Sequence, residues 1–238
     1  MRPVAFPALR RRLLDFLYPP RCLGCGAFNT FLCAPCDGSM TSTSTAERCP
    51  NCTARWSGGL NCPRCFPCDA LDLIAGAYDM EGTARELVHG LKYRGITAVA
   101  PLMAARMTLL REKHAFDVAL PVPLHRSRER SRGFNQAAEL LAALGWPSAP
   151  GTLVRTRKTD SQVGLRAGER RANITGAFAW RGPSLQGLRV AVIDDVITTG
   201  ATANECARTL RQHGARGVVA LAFARASYET IPDRPVDD

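Results

Sequence analysis

Residues 190–202 read VAVIDDVITTGAT, and this segment indicates both the fold class and the position of a ligand site. The nearly continuous apolar run Leu188–Ile193 is typical of a strand that is buried on both faces of a parallel sheet. Two adjacent carboxylates, Asp194 and Asp195, follow that run directly. Carboxylates are costly next to an apolar sheet unless hydroxyl groups or a hydrated Mg2+ pair with them. We therefore expect a polar ligand site where this strand ends.

The residues that follow have the composition of a phosphate-binding turn. They are Thr198, Thr199, Gly200, Ala201 and Thr202. They offer three hydroxyl groups, a glycine that lets the backbone approach a ligand, and the N–H groups of a helix start. The alternative is that the acids complement the helix dipole and a threonine caps the helix. That alternative explains one cap, but not three threonines beside two acids.

From residue 71 onward, short apolar segments alternate with longer amphipathic segments. The predicted strands are Leu73–Tyr78, Val118–Pro121, Leu188–Ile193 and Gly217–Phe223. The predicted helices are Gly82–Tyr93, Val99–Lys113, Gln136–Leu144 and Thr202–His213. This alternation is typical of a parallel sheet with helices on both faces, which binds its ligand at the carboxyl ends of the strands. The predicted organisation is a cysteine-rich part over residues 1–70 and an α/β domain over residues 71–238.

The cysteine-rich part predicts two structural zinc sites. Eight of the ten cysteines form four CxxC pairs: Cys22/Cys25, Cys33/Cys36, Cys49/Cys52 and Cys62/Cys65. Each CxxC turn points two thiolates at one centre, and two such turns complete a tetrahedral shell around Zn2+. Sequential pairing gives two small zinc ribbons, and interleaved pairing is also compatible with the spacing. Both shells would be closed, so neither zinc is expected to be catalytic.

Other uses of these cysteines fit the sequence less well. Disulfides need an oxidising compartment, and no export signal is evident in the sequence. A redox CxxC would not need four copies. Another possibility stays open: a single zinc site, with the other half of the double ribbon degenerate. Cys68 could also replace a neighbouring cysteine as a ligand. Cys206 lies in a predicted helix and is expected to be buried; Pro101, Met103 and Leu109 are expected to be core residues.

Composition and charge exclude several classes of protein. Charged residues make up 22% of the chain and hydrophobic residues 46%, which excludes global disorder. The longest apolar segments are far shorter than the ~18–20 residues of a membrane span, so we expect a cytoplasmic protein without one. The net charge is +10, and residues 121–171 hold ten Lys and Arg against four Asp and Glu. Such a basic segment is typical of a nucleic-acid surface or of a pocket for a polyanionic small molecule.

Several segments together resemble a known family. VIDDVITTGAT resembles the motif of type I phosphoribosyltransferases that binds 5-phosphoribosyl 1-pyrophosphate (PRPP). The cysteine pairs and four further segments resemble the ComF family, double-zinc-ribbon proteins linked to competence and DNA uptake. Those segments are LLDFLYPPRCLGCG, ELVHGLKYRG, LPVPLHRSRERSRGFNQA and RTRKTDSQVGLRAGERRANITGAF. The resemblance implies a type I phosphoribosyltransferase-like α/β fold, a parallel sheet with flanking helices, preceded by a small double zinc ribbon.

The resemblance also implies roles for individual residues. Asp194 and Asp195 would hold the ribose 2- and 3-hydroxyls at the catalytic centre, and residues 198–202 would bind the 5-phosphate. The pyrophosphate loop would include Leu124, His125, Arg126, Arg132 and Gly133. A flexible loop between Arg155 and Phe178 would close over PRPP and would include Arg155, Gln162, Arg170 and Asn173. Lys92 and Arg94 are either ligand contacts or surface residues.

Two functions are compatible with this resemblance. One is a Mg2+-dependent phosphoribosyltransferase that releases pyrophosphate and serves an unknown acceptor in DNA uptake. The other is a non-catalytic, PRPP-gated module that handles single-stranded DNA or a competence partner of the helicase type. Aromatic residues make up 7% of the chain and are scattered, so no stacking platform for bases is evident. The implied cofactors are two structural Zn2+ ions and Mg2+ bound with PRPP.

Overall fold

The computed structural model describes residues 19–43, 70–157, 174–198 and 200–226. These residues contain six strands: β1 (Leu73–Asp79), β2 (Val118–Pro121), β3 (Thr152–Arg155), β4 (Phe178–Arg181), β5 (Arg189–Ile197) and β6 (Gly217–Arg225). Strands β1, β6, β5 and β2 form a parallel sheet in that order, and β3 and β4 form an antiparallel hairpin. The parallel sheet expected from the sequence is confirmed.

Helices cover both faces of this sheet. The described ranges contain α1 (Ala34–Gly38), α2 (Gly82–Arg94), α3 (Ala100–Lys113), α4 (Arg126–Arg132), α5 (Gln136–Leu144) and α6 (Ala201–Gln212). Helices α2, α3 and α5 share an apolar cluster with sheet residues such as Ile193, whereas α6 and the hairpin share another with residues such as Val192. Because successive strand side chains point to opposite faces, each cluster fills one face. None of the described helices combines the length and apolarity that crossing a membrane requires.

Strand β5 is longer than its apolar run predicts. It continues to Ile197, which pairs with Arg225 of β6, so Asp194 and Asp195 lie inside the strand and not after its end. The strand continues because β6 extends equally far and offers backbone partners beyond the apolar run. The two carboxylates therefore point to opposite faces near the carboxyl edge of the sheet.

The sequence does not predict helix α4 or the β3–β4 hairpin. Helix α4 reads RSRERSR, so it has no apolar residues from which a helical period can be detected. His125 caps it, because its Nδ1 atom accepts a hydrogen bond of 3.2 Å from the Ser127 N–H. In the hairpin, Arg155 pairs with Phe178, so the two expected ends of the flexible loop lie on neighbouring strands.

Only one of the three core residues expected in the α3 region is buried. Met103 is fully buried, whereas Pro101 is exposed and Leu109 is 57% exposed, so the predictions for the last two were wrong. Successive helical residues are about 100° apart, and the face that buries Met103 and Met107 leaves Leu109 on the outside. Cys206 is fully buried in α6, which confirms that prediction.

The N-terminal segment 19–43 packs against the outer edge of β1. The Thr43 N–H donates to the Ala77 carbonyl at 3.2 Å, and the Asp79 N–H donates to the Thr41 carbonyl at 2.9 Å. Met40 of this segment belongs to the apolar cluster of α2 and α3. The described part of the cysteine-rich region therefore shares its core with the sheet. The boundary expected at residue 70 stays a prediction, because residues 44–69 lie outside the described ranges.

Candidate functional site

Four cysteines of the N-terminal segment form a candidate metal centre, which we call the first zinc cluster. The sulfur atoms of Cys22, Cys25, Cys33 and Cys36 all lie within 4.8 Å of one another. The Cys33 sulfur lies 3.6 Å from that of Cys22 and 3.5 Å from that of Cys25. A zinc–sulfur distance of about 2.3 Å places tetrahedral sulfurs about 3.8 Å apart, so the cluster fits Zn2+. For these four cysteines, the pairing is the sequential one.

The electrostatics of the cluster favour a bound cation. Burial raises the pKa of Cys22, but backbone N–H groups, led by that of Cys33, outweigh burial and lower this pKa to about 6. The adjacent Cys33 thiol and burial raise the pKa of Cys36 to about 12. Neighbouring thiolates repel each other at this distance, so they do not all ionise alone. A divalent cation removes the repulsion and allows four thiolates to bind it.

The first zinc cluster rests on helices of the α/β domain. A Cβ atom added to Gly24 would lie 2.7 Å from Cys36 Sγ and 2.9 Å from Thr83 Oγ1, at the start of α2. Asp37 of α1 forms an ion pair with Arg106 of α3, in which Arg106 Nε donates to Oδ1 at 2.5 Å. The cluster is therefore attached to α2 by close packing and to α3 by charge.

Several predicted site residues lie outside the described ranges. They are the zinc ligands Cys49, Cys52, Cys62 and Cys65, the neighbouring Cys68, the turn residue Thr199, and the loop residues Gln162, Arg170 and Asn173. Their roles stay predictions.

Asp195 lies buried at the carboxyl edge of the sheet, between two helices. Only 1% of its side chain is exposed. The Nζ atom of Lys92, in the last turn of α2, lies 3.4 Å from its Oδ2 atom. The Nε2 atom of Gln136, the first residue of α5, lies 3.4 Å from its Oδ1 atom. Arg132 Nη1 in turn donates a hydrogen bond of 2.6 Å to Gln136 Oε1. We call Lys92, Asp195, Gln136 and Arg132 the buried polar chain.

Charges at this edge compensate for burial. Burial lowers the pKa of Lys92, but the carboxylates of Asp195 and Asp194 outweigh it and raise this pKa. Asp194 is partly exposed, and burial together with the Asp195 carboxylate raises its pKa well above the ordinary value. A raised pKa means that the Asp194 carboxylate would gain from a cation or from hydrogen-bond donors. Mg2+ and sugar hydroxyls both meet that need.

The turn after β5 leads directly into α6. Gly200 is the N-cap residue of α6 and has a φ of +77°, in the left-handed region that favours glycine. Because glycine has no side chain, the helix start carries no side-chain cap at this position. Thr198 is partly buried before it, and Ala201 and Thr202 form the first residues of the helix. A helix N-terminus beside threonine hydroxyls is suited to an anion.

A basic segment follows the neighbouring strand β2. Pro121 pairs with Ile193, and the Val122 N–H donates to the Ile193 carbonyl at 2.8 Å, so this chain leaves the sheet beside the two acids. Leu124 and His125 come next, and α4 then carries Arg126, Arg128, Arg130 and Arg132 before ending at Gly133. All five residues expected in the pyrophosphate loop therefore belong to the segment that follows the carboxyl end of β2.

The hairpin residue Arg155 also lies close to this basic segment. Its guanidinium stacks over the Phe178 ring, 5.6 Å from the ring centre. Burial and the nearby charge of Arg128 lower the pKa of Arg155. Of the four residues expected in the flexible loop, this is the one that the structure describes.

Sequence reasoning missed one partner of Asp195 and left another open. The resemblance places Gln136 at the end of the segment behind the pyrophosphate loop, and the sequence places it at the start of a helix, but neither predicts its contact with Asp195. Lys92 is not a simple surface residue, because its side chain is 22% exposed and pairs with Asp195, and its role as a ligand contact stays a prediction. Arg94 is a surface residue that pairs with Glu86 at 2.7 Å, in agreement with its surface alternative. The polar pairing of Lys92 has no local sequence signal, because its partner lies in a distant strand.

Comparison with known families and curated proteins gives three likenesses. A family model described as "Double zinc ribbon domain" matches residues 13–66. The DNA utilization protein YhgH of Escherichia coli (strain K12) is 32% identical over 213 residues, which cover 82% of this chain and 90% of that protein. Competence protein F of Haemophilus influenzae is 39% identical over 116 residues, which cover 46% of this chain and 51% of that protein.

Solved structures give weaker likenesses. A phosphoribosyltransferase from Corynebacterium diphtheriae has a TM-score of 0.33 at 19% identity and covers 62% of this chain and 70% of its own. A purine phosphoribosyltransferase from Pyrococcus horikoshii has a TM-score of 0.33 at 18% identity and covers 53% of this chain and 72% of its own.

Proposed function

This chain belongs to the ComF family, which includes the DNA utilization protein YhgH, and from this premise we propose that it binds PRPP with Mg2+ at the carboxyl edge of its sheet. One observation carries the proposal: two carboxylates, a threonine-rich turn and an arginine-rich helix meet at that edge. PRPP has a group for each, namely ribose hydroxyls, a 5-phosphate and a pyrophosphate.

Each part of the ligand has its own residues in this proposal. Asp194, the more exposed acid, accepts hydrogen bonds from the ribose 2- and 3-hydroxyls. Asp195, the next residue of the strand, points to the opposite face of the sheet. The 5-phosphate binds to Thr198, Thr199, Gly200, Ala201 and Thr202. The pyrophosphate binds to Leu124, His125, Arg126, Arg132 and Gly133. Arg155, Gln162, Arg170 and Asn173 belong to the loop that closes over the ligand and excludes water.

The proposed reaction is the transfer of the phosphoribosyl group. The bond between ribose C1 and the pyrophosphate oxygen breaks, and pyrophosphate leaves with the electron pair. A nucleophile of the acceptor forms the new bond to C1 and loses its proton. The arginines of α4 stabilise the negative charge that develops on the leaving group, while Asp194 holds the ribose. Mg2+ bound to the pyrophosphate would neutralise part of the same charge.

The first zinc cluster lies on the same helix as the proposed PRPP site, so it is placed to contact the acceptor or a partner protein. The cluster packs on the start of α2 at Thr83, and the last turn of α2 reaches Asp195 through Lys92. Helix α2 begins after β1 and ends at β5, so it crosses the carboxyl edge of the intervening strand β6. We infer that the ribbon shapes the side from which the acceptor or partner approaches.

Isothermal titration of the zinc-loaded protein with PRPP and Mg2+ tests the ligand. We expect one PRPP per chain and a loss of about 10–100-fold in affinity for Asp194→Asn, because that carboxylate accepts hydrogen bonds from the ribose. Glu112→Gln is the matched control, since it neutralises an exposed carboxylate on α3, and it should bind PRPP like the wild type. If the wild type gives no binding heat and no competition with labelled PRPP, the proposed function is wrong.

Pyrophosphate release then tests catalysis. The protein is incubated with PRPP, Mg2+ and mixtures of metabolites or oligonucleotides, and pyrophosphate is measured with a coupled assay. Release that depends on one acceptor and is lost in Asp194→Asn supports a transferase. Binding of PRPP without release for any acceptor supports the non-catalytic alternative.

That alternative has its own observation in helix α4. Arg126 and Arg130 are exposed and line a shallow hollow of about 300 Å3 together with Glu129 and Gly133. Arginines at this density bind nucleic-acid phosphates without regard to base sequence. The module would handle single-stranded DNA or a competence partner under the control of PRPP. Fluorescence anisotropy with an oligonucleotide tests it: affinity should change with PRPP and fall in Arg126→Gln/Arg130→Gln, and a DNA affinity independent of PRPP rejects gating.

A further inference from the structure

The buried polar chain connects four elements that are distant in the sequence. Lys92 comes from α2, Asp195 from β5, Gln136 from α5 and Arg132 from α4. The atoms that join them are Lys92 Nζ and Asp195 Oδ2 at 3.4 Å, Gln136 Nε2 and Asp195 Oδ1 at 3.4 Å, and Arg132 Nη1 and Gln136 Oε1 at 2.6 Å. Each partner in the chain meets a group of complementary polarity.

The burial of Asp195 makes Lys92 necessary. With 1% of its side chain exposed, Asp195 has almost no contact with water. A buried carboxylate without a cation is strongly destabilising, so it would become protonated or draw in another positive group. The side chain of Lys92 is 22% exposed, and its ammonium group supplies that cation.

Gln136 connects Asp195 to Arg132 by hydrogen bonds from the two ends of its amide group. A glutamine amide donates through its nitrogen and accepts through its oxygen, so the bond to Asp195 fixes which way the amide group faces. Its oxygen then faces Arg132 and accepts from Nη1. That bond uses one of the five N–H donors of the guanidinium. Arg132, at the end of α4, is therefore linked through Gln136 to the Asp195 carboxylate of β5.

We propose that Lys92 is a positioning residue for the PRPP site: its ion pair fixes Asp195, which through Gln136 orients the Arg132 guanidinium toward the pyrophosphate. This inference rests on the proposed function, because it takes PRPP as the ligand of this edge. It separates the two adjacent acids by role. Asp194 touches the ribose, while Asp195 acts through Arg132.

A double-mutant cycle measured by PRPP titration tests the inference. We expect Lys92→Met and Asp195→Asn each to weaken PRPP binding at least tenfold, and Lys92→Arg to retain most of the affinity because it keeps the charge. The double variant should be no weaker than the weaker single variant, because both changes break the same connection. Lys113→Met is the matched control: it removes an exposed ammonium from the last turn of α3 and should bind PRPP like the wild type.

A second cycle keeps the test valid if Lys92→Met fails to fold. Gln136→Met removes the connection to Arg132 but leaves the Lys92–Asp195 ion pair in place. It should weaken PRPP binding, though by no more than Arg132→Met, which also removes the direct contact with the pyrophosphate. The double variant should bind PRPP like Arg132→Met alone. Effects that multiply in either cycle mean that the residues act on PRPP separately, which overturns the inference while PRPP binding itself stands. A wild type that does not bind PRPP overturns both proposals.

Discussion

Asp194 and Asp195 are neighbours in the chain, but the strand directs them to different surroundings. Asp195 meets the helices on one face, where its Oδ2 atom pairs by charge with Lys92 and its Oδ1 atom accepts a hydrogen bond from Gln136. Asp194 points to the other face, towards Cys206 of α6, whose thiol pKa is raised by burial and further by the Asp194 charge. The alternation of a strand thus gives two identical side chains different surroundings.

A second feature at the residue scale is the fit between Gly24 and the first zinc cluster. We expect Gly24→Ala to weaken zinc binding at this cluster at least about tenfold, because the new methyl group would lie 2.7 Å from the Cys36 sulfur and displace it. Competition with a chromophoric chelator measures the affinity. Gly38→Ala is the matched control, since a Cβ there meets no atom within 4 Å. Equal zinc affinity in the two variants would contradict the expected displacement.

At the scale of elements, helix α2 determines how the molecule fits together. Its first turn meets the first zinc cluster at Thr83, and a Cβ atom on Gly90 in its third turn would collide with Leu23, which lies between two cysteines of that cluster in the chain. Its last turn supplies Lys92 to the sheet edge. A helix that is held at both ends keeps the cluster and the ligand edge in a fixed relation. Helix α3 adds the Arg106–Asp37 ion pair to the same attachment.

That ion pair should stabilise the protein moderately. We expect Arg106→Met to lower the free energy of unfolding by about 1 kcal/mol or less, because Asp37 is 38% exposed and solvent screens the pair. The hydrogen bond from Arg106 lowers the pKa of Asp37. The contribution is therefore complete above the ordinary Asp pKa of about 3.9 and is lost only as the pH falls through the lowered value.

Urea unfolding of the zinc-loaded protein at about pH 7 and about pH 5.5 measures this contribution, since both values lie above the ordinary Asp pKa. The difference between wild type and Arg106→Met should be equal at the two pH values. Arg85→Met, which removes an exposed arginine from α2, should leave stability unchanged. A difference that shrinks between these pH values would mean that another titrating group carries the effect.

At the scale of the whole molecule, the cysteine-rich region and the sheet fold as one structure over the described residues. Leu32 and Met40 are buried in the cluster that also holds α2 and α3, and residues 41–43 bond to the edge of β1. Zinc at the first cluster therefore stabilises more than its own ribbon, because loss of the metal would loosen the surface on which α2 is packed.

Removal of zinc should lower the stability of the whole chain. After treatment with a chelator, we expect a single thermal transition at a Tm lower by at least about 5 °C, which corresponds to about 2 kcal/mol for a chain of this size. PRPP affinity should fall as well, since α2 holds Lys92. Calorimetry and titration before and after zinc is restored measure both effects. Two separate transitions, with the sheet melting at an unchanged Tm, would show that the ribbon is independent.

The sequence by itself determined the local parts of this protein. Two CxxC turns identify one zinc shell, because each turn fixes its own pair of ligands. Apolar segments separated by helices identify a parallel sheet, and the acids and threonines at residues 194–202 predict a ligand site at its carboxyl edge. These signals depend on residues that are neighbours along the chain, so they can be recognised from the sequence alone. Helix α4 escaped them because its charged residues have no apolar period.

Only the tertiary structure decided which distant residues meet. The strand order β1-β6-β5-β2 places the end of α2 beside β5, and this placement brings Lys92 and Gln136 to the two carboxylate oxygens of Asp195. The tertiary structure also decided that Leu109 faces outward and that the first zinc cluster packs on Thr83. The physical reason is that an ion pair or a packed contact depends on distance in space, and no local pattern specifies the order in which strands assemble.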